Sequence, residues 1–128
     1  IAAQSTIEAR IELAFLRVLR RSQEHSLIAR LLEVEPEEIL RFLSLEAGPI
    51  LTIGSRFIED RIRESQRAGM IPSYSPQPVA EFLARFAHST LLCPRGGLDV
   101  SDEAKLRAFA RTTVVPLLMR GLPEDDSC

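Results

Sequence analysis

The chain has 128 residues, a formal net charge of −2 and 45% hydrophobic residues. A chain of this length forms one domain that buries about two thirds of its unfolded surface, so it needs no disulfide to hold a core. The acidic balance argues against a phosphate-binding face of its own, and no apolar run approaches the ~20 residues that cross a bilayer. Cys93 and Cys128 form no disulfide framework, so we expect a cytoplasmic protein.

The chain begins with Ile1 and enters a helical pattern within a few residues. We therefore expect it to be part of a longer protein. Residues 1–128 are predicted to form a single domain, and residues 120–128, which are polar and acidic, to form a flexible tail.

The first half of the chain predicts four helices. Ser5 is the expected N-cap of an amphipathic helix that runs to about Glu24. A short helix is predicted from Leu27 to Val34, and Pro36, followed by two glutamates, begins the third. Gly48-Pro49 begins a long helix that Gly69 closes as a C-terminal cap. Its predicted inward stripe is Ile50, Ile53, Gly54, Phe57, Ile58 and Ile62.

The stretch from Val79 to Met119 carries two helices that are apolar around most of their circumference. They are predicted over Val79–Leu92 and Ala104–Met119, the second with Ser101 as N-cap and with Pro116 bending it or beginning its last turn. A helix that is apolar on two faces must be covered on two sides. The same pair of helices from a second copy could supply that cover, and the alternative is that both helices are central in a monomer.

The sequence contains no pattern typical of catalysis. His25 and His88 lie far apart, and neither has a cysteine or carboxylate at helical ligand spacing. Ser89 cannot pair with His88 as nucleophile and base, because adjacent helical residues point about a hundred degrees apart. We expect no enzyme, no metal site and no cofactor. A Phe-rich and Leu-rich helical bundle could instead enclose a cavity for an apolar ligand.

Two segments of the second half, EFLARFAHSTLLCPRGGLD (81–99) and FARTTVVPLL (109–118), resemble the C-terminal regulatory domain of TetR-family transcriptional repressors. LLEVEPEEIL (31–40) and FIEDRIRESQRAG (57–69) extend the resemblance to a bacterial branch of actinobacterial type. It implies an all-α bundle of five to six helices, in which the last two helices pair with those of a homodimer mate as a four-helix bundle.

The resemblance also implies a pocket for a small apolar or amphipathic effector. DNA would be bound only through an N-terminal helix-turn-helix module that this sequence does not contain, and no membrane is involved. Possible polar anchors for the effector are Tyr74, Arg85 and His88. The expected ligand-binding residues are Phe15, Leu19, Ile53, Phe57, Phe86 and Thr90. The expected dimer interface is Phe82, Arg85, Ser89, Leu92, Phe109, Thr113, Val114 and Leu117. The alternative function is a helical dimerisation or protein-interaction module without a ligand.

Overall fold

A computed structural model describes residues 6–24, 30–31, 33–93 and 96–123. Within these residues the chain forms helices and no strands, which confirms the prediction of an all-α helical bundle. The helices are α1 (Ile7–Glu24), α2 (Pro36–Ser44), α3 (Gly48–Arg67), α4 (Pro76–Leu92), α5 (Glu103–Phe109) and α6 (Val115–Arg120). A π-helical turn, Ala110–Val114, joins α5 to α6 into one C-terminal helix. No helix in the described part of the chain is long and apolar enough to cross a membrane.

The predicted helix starts are confirmed with small shifts of the capping residue. At α1 the hydroxyl of Thr6 accepts a hydrogen bond from the backbone N–H of Ala9 at 3.1 Å, whereas the expected cap Ser5 lies outside the described residues. At α5 the cap is Asp102, which accepts from the Lys105 N–H at 3.2 Å. The expected cap Ser101 lies one residue earlier, and its side chain bonds to Asp99 instead.

Only part of the short helix predicted over Leu27 to Val34 can be compared with the structure. Residues 25–29 and Leu32 lie outside the described residues, and residues 30–31 and 33–34 are helical. Leu31 and Val34 are exposed. Pro36 begins α2 at its first helical position, as predicted.

Gly69 ends α3 as predicted. Its φ is +73°, a left-handed conformation that glycine adopts without a Cβ penalty. The N–H of Gly69 donates to the Gln66 carbonyl at 3.0 Å, and the N–H of Met70 donates to the Ser65 carbonyl at 2.9 Å. These are the paired hydrogen bonds of a Schellman motif. The Gln66 side chain then donates to the Tyr74 carbonyl at 2.9 Å, which fixes the turn into α4.

Helices α3 and α4 pack as an antiparallel pair, and Gly54 faces Ala84 across their contact. A Cβ at position 54 would lie 3.9 Å from the Cβ of Ala84. Small residues on both helices allow this contact, because neither side chain holds the backbones apart. The contact between α3 and α4 is the most extensive helix–helix contact among the described residues.

The core has two clusters, one at each end of the bundle. In the first, Ile62 and Ile71 pack against Val79 and Ala80, with partly buried side chains of α6 around them. In the second, Leu16 and Leu19 of α1 pack against Leu106 of α5. Two ion pairs also join α1 to the C-terminal helix. Arg20 pairs with Glu103 at 2.7 Å, and Glu12 pairs with Arg111 at 3.3 Å.

The end of the C-terminal helix is held by Tyr74. The Tyr74 hydroxyl donates to the Leu118 carbonyl at 2.7 Å, and burial raises the pKa of this phenol. Gly121 follows the helix with φ +73° and ψ 175°, a conformation that only glycine adopts readily. Its N–H donates to the Leu117 carbonyl at 2.7 Å. Of the tail predicted over residues 120–128, Arg120 is therefore helical and Gly121 is held by a hydrogen bond. Residues 124–128 lie outside the described part of the chain.

Three glycine-to-alanine substitutions separate backbone strain from a steric clash. At Gly121 a Cβ would lie 2.6 Å from the Tyr74 ring in addition to the positive φ, whereas at Gly69 only the positive φ applies. We expect Gly121→Ala to lower the free energy of unfolding by about 2 kcal/mol or more, and Gly69→Ala by about 1 kcal/mol.

Gly48→Ala is the control for this series, because Gly48 has no positive φ and a Cβ there meets nothing within 4 Å. It should change the stability by no more than ~0.5 kcal/mol. Urea unfolding followed by circular dichroism measures all three. Equal losses for Gly69→Ala and Gly121→Ala would mean that the Tyr74 ring moves aside without cost.

The stability of the contact between α1 and α5 should depend on pH through Glu103. Hydrogen bonds from Arg107 and Arg20 lower the pKa of this carboxyl below its ordinary value near 4.5. A lowered folded-state pKa means that the charged form stabilises the fold. This stabilisation is complete above the ordinary pKa and is lost as the pH falls through the folded pKa.

We therefore expect Glu103→Gln to destabilise the protein at pH 7 and to have no effect well below the folded pKa. Unfolding curves at several pH values measure the difference. A double-mutant cycle with Arg20→Gln isolates the contribution of the pair between α1 and α5. A Glu103→Gln effect that is the same at acid and neutral pH would contradict this account.

Candidate ligand-binding site

An elongated cavity of about 400 Å³ lies between α1 and α3. This volume falls within the ~300–1,000 Å³ that is typical of small-molecule sites. Helix α1 lines it with Ile7, Ile11, Ala14, Phe15, Val18 and Leu19. Helix α3 contributes Ile50, Leu51, Gly54, Phe57, Ile58, Arg61, Ile62 and Ser65. The remaining lining residues are Ile71, Leu83, Ala84, Phe86, Ala87, His88, Leu91, Val114 and Leu118.

The cavity runs along the helices rather than across them. At one end Ile7 of α1 packs against the cluster that contains Ile62. At the other end Phe15 of α1 stacks on Phe86 of α4, with ring centroids 6.0 Å apart. Helix α1 therefore follows the cavity from one core cluster to the other.

The cavity opens to solvent between α1 and α3 and is closed behind by buried residues. Ala14, Val18, Phe57 and Arg61 line it and are exposed, so they form the rim of the opening. Leu19, Ile62 and Val114 line it and are buried, and they form its floor. An opening rimmed by apolar side chains is a feature of ligand-binding grooves.

Three phenylalanines form a stacked group at the Phe86 end of the cavity. The Phe109 ring lies 5.1 Å from the Phe86 ring and 5.9 Å from the Phe15 ring. Such pairs add to the stability that burial alone provides. This group joins α1, α4 and α5, and two of its members, Phe15 and Phe86, line the cavity.

The polar residues among those that line the cavity are Arg61, Ser65 and His88. The Arg61 guanidinium lies 5.4 Å from the centre of the Phe57 ring, a cation–π arrangement. It also makes a 3.3 Å ion pair with Glu64, and both side chains are more than half exposed. An exposed pair of this kind contributes little to stability. Arg61 can therefore leave Glu64 for an anionic ligand at small cost.

His88 lies at the other end of the cavity, and only one of its two ring nitrogens has a hydrogen-bond partner among the described residues. Its Nε2 donates a hydrogen bond to the Leu43 carbonyl and so ties α4 to α2. Its Nδ1 is buried and has no hydrogen-bond partner among the described residues. A buried polar atom without a partner costs about 1–3 kcal/mol. The unpartnered Nδ1 of His88 therefore lowers the stability of the fold at a position that lines the cavity.

Four of the six residues predicted to bind ligand line this cavity, namely Phe15, Leu19, Phe57 and Phe86. Ile53 and Thr90 do not. Ile53 is 71% exposed, because the inner face of α3 passes through Gly54 and Ile58 rather than through position 53. Thr90 is buried, and its hydroxyl donates to the Ala87 carbonyl one turn earlier in α4.

Of the three residues predicted as polar anchors, one lines the cavity. His88 lines the cavity, but Arg85 lies on the exposed face of α4 in an ion pair with Glu81, and Tyr74 holds α6. Arg61 and Ser65 were missed. A signal for them exists in the sequence, because Arg61 follows Phe57 by four residues and Ser65 follows Arg61 by four. At that spacing both lie on the apolar face of α3.

The residues predicted for the dimer interface divide into two groups. Phe82, Arg85, Ser89 and Leu92 are exposed along one face of α4, and Thr113 is exposed on the C-terminal helix. Phe109, Val114 and Leu117 point into the monomer instead. Phe109 stacks on Phe86, Val114 is buried at the cavity floor, and Leu117 packs on the Val79 cluster. Phe109→Glu would therefore disturb the fold of one chain, and it cannot serve to test assembly.

Comparison of the chain with known proteins gave no match to a protein family, a curated protein or a solved structure. Within the described residues, no group of three or more His, Cys, Asp or Glu side chains is placed to hold a metal ion.

Proposed function

We propose that this chain is a regulatory domain that binds a small apolar or amphipathic molecule in the cavity between α1 and α3. The observation that carries the proposal is the cavity itself. The apolar lining of a cavity that opens to solvent is in contact with water, and a ligand that covers this lining gains free energy. A space of about 400 Å³ that opens through an apolar rim is accounted for by a ligand that occupies it.

In the arrangement that the TetR resemblance implies, the domain controls DNA binding by a helix-turn-helix module. A ligand between α1 and α3 contacts both helices at once. It can shift the equilibrium between two conformations only if it binds one of them more tightly than the other. The position of α1 relative to α3 is the structural variable that such a ligand would set.

The same proposal includes a homodimer formed through the outer face of α4. This face presents Phe82 and Leu92, which are 54% and 39% exposed, together with Arg85 and Ser89. In a two-fold dimer the same face meets its own copy. Glu81 and Arg85, which form an ion pair at 2.8 Å, place a negative and a positive charge on this face. In the dimer, Glu81 of one subunit can therefore pair with Arg85 of the other.

The second candidate function, an interaction module without a ligand, is favoured by a different surface. Leu40, Phe42 and Leu45 in and after α2 are 48%, 45% and 83% exposed. A cluster of exposed apolar side chains is a feature of protein-interaction surfaces. If this function is the correct one, the cavity should bind no small apolar molecule.

A fluorescence titration with N-phenylnaphthylamine distinguishes the two functions. The fluorescence of this neutral dye rises when it enters an apolar site, and the chain has no Trp to interfere. We expect saturable binding to the wild-type protein. Ala14→Phe places a ring at the exposed rim of the cavity and should weaken binding by about tenfold or more, because the ring takes up part of the space that the dye needs.

Ala104→Phe is the matched control for this experiment. Ala104 is an exposed alanine of α5 that does not line the cavity, so the substitution adds the same ring elsewhere. Circular dichroism melting checks that both variants fold. If the wild-type protein does not bind the dye, or if both variants bind it equally well, the ligand-binding function is rejected.

Sedimentation equilibrium tests the homodimer. We expect a dimer for the wild-type protein at micromolar concentration, and a monomer for Phe82→Glu, because two buried like charges would face each other across the two-fold axis. Phe42→Glu, at a similarly exposed phenylalanine of α2, should leave the dimer intact. A folded Phe82→Glu variant that remains dimeric would remove this face of α4 from the interface.

A further inference from the structure

The dimensions of the cavity restrict the shape of its ligand. Its lining residues run from Ile7 to Leu19 along α1 and from Ile50 to Ser65 along α3. At a rise of about 1.5 Å per residue, the cavity is about 20 Å long. A cavity of about 400 Å³ that extends over this length is narrow for its length. That shape suits an extended hydrocarbon chain better than a compact ring system.

The polar lining residues lie at opposite ends of this length. The contact of Gly54 with Ala84 fixes the register of the antiparallel α3–α4 pair. Arg61 lies seven residues beyond that contact along α3, and His88 lies four residues beyond it along α4 in the opposite direction. The two residues are therefore about 16 Å apart along the cavity. The lining between them is apolar.

The charges at the Arg61 end favour an anion. The described residues that line the cavity include one arginine and no carboxylate. The nearest acidic partner is Glu64, which lies outside the lining, and its 3.3 Å pair with Arg61 is exposed on both sides. Ser65 lies one helical turn beyond Arg61 on the same face. Its hydroxyl can donate to the second oxygen of a carboxylate that Arg61 holds.

The His88 end is less suited to a charged group. The Nε2 of His88 is already bonded to the Leu43 carbonyl, and its Nδ1 is buried. The rings of Phe15 and Phe86, which line the same cavity, are suited to a hydrocarbon end. Arg61 by contrast is always charged and stands at the rim, where an anionic head group stays partly in water. The distribution of charged and apolar residues along the cavity thus determines the orientation of an amphipathic ligand.

From this we infer that the ligand is an unbranched fatty carboxylate, with its tail along the cavity towards Phe15 and Phe86 and its carboxylate held by Arg61 and Ser65. The inference rests on the proposed ligand-binding function and specifies its ligand class. It assigns a positioning role to Arg61 that a site for neutral apolar compounds would not need.

Displacement of bound N-phenylnaphthylamine by three competitors tests the inference. Myristate has a chain of suitable length and a carboxylate, methyl myristate has the same chain without the charge, and cholate has a carboxylate on a fused ring system. We expect myristate to displace the dye, methyl myristate to do so about tenfold more weakly, and cholate not to compete. Equal displacement by the ester would overturn the head-group assignment, and equal displacement by cholate would overturn the chain assignment.

Two arginine variants on the same helix test the role of Arg61. Arg61→Gln should weaken the binding of myristate about tenfold more than it weakens the binding of the dye or of the ester, because only myristate carries the carboxylate. Arg63→Gln is the matched control, because Arg63 is also paired with one glutamate, at 3.0 Å from Glu59, but does not line the cavity. Both arginines are exposed, so both variants should fold. If the two variants bind myristate equally well, Arg61 does not hold the head group.

The dye also separates this inference from the function on which it rests. If the dye binds and responds to Ala14→Phe but myristate does not displace it, the fatty carboxylate is excluded and the ligand-binding function stands. If the dye itself does not bind, both are rejected.

Discussion

The close packing of α3 on α4 is the constraint on which the rest of the structure depends. Gly54 and Ala84 bring these helices together, and the Schellman motif at Gly69 with the Gln66 hydrogen bonds holds the turn between them. Because the pair is so close, α1 cannot insert between its members and packs beside it. Helix α1 contacts the α3–α4 pair through Ile7 at its start and Phe15 near its middle, and it lines the cavity from Ile7 to Leu19. The cavity thus results from small residues in one contact and large residues in another.

The polar residues of the cavity differ in how firmly they are held. Arg61 has an exposed partner that it can exchange, whereas His88 is tied to α2 through the Leu43 carbonyl and leaves its other ring nitrogen unsatisfied. A mobile cation near the solvent suits recognition, because its charge needs no desolvation before the ligand arrives. The buried histidine contributes to the position of α2, and the cost of its unpartnered Nδ1 reduces the stability of that contact.

Most of the helices could be predicted from the sequence, since stripe spacing, Pro36, Gly48-Pro49 and Gly69 give local signals for where helices begin and end. Which residues of each helix face the interior and which face solvent could be predicted less well. Ile53 lies only one position from Gly54, yet it faces solvent, because a helix turns by about a hundred degrees per residue. The packing of α1 beside α3, which creates the cavity, depends on contacts between residues distant in sequence. The four-residue spacing from Phe57 places Arg61 on the apolar face of α3, but whether that face lines a cavity depends on the helices that pack around it.

The π-helical turn explains why Phe109, Thr113 and Leu117 have different environments although they are four residues apart. A π turn contains one more residue than an α turn, so it rotates everything beyond it relative to what precedes it. Before this turn the C-terminal helix packs Leu106 against α1, and after it Leu117 and Leu118 pack against the α3–α4 pair. A regular α-helix would present a single stripe to one neighbour. The extra residue therefore lets one helix cover two different parts of the bundle, one on each side of the turn.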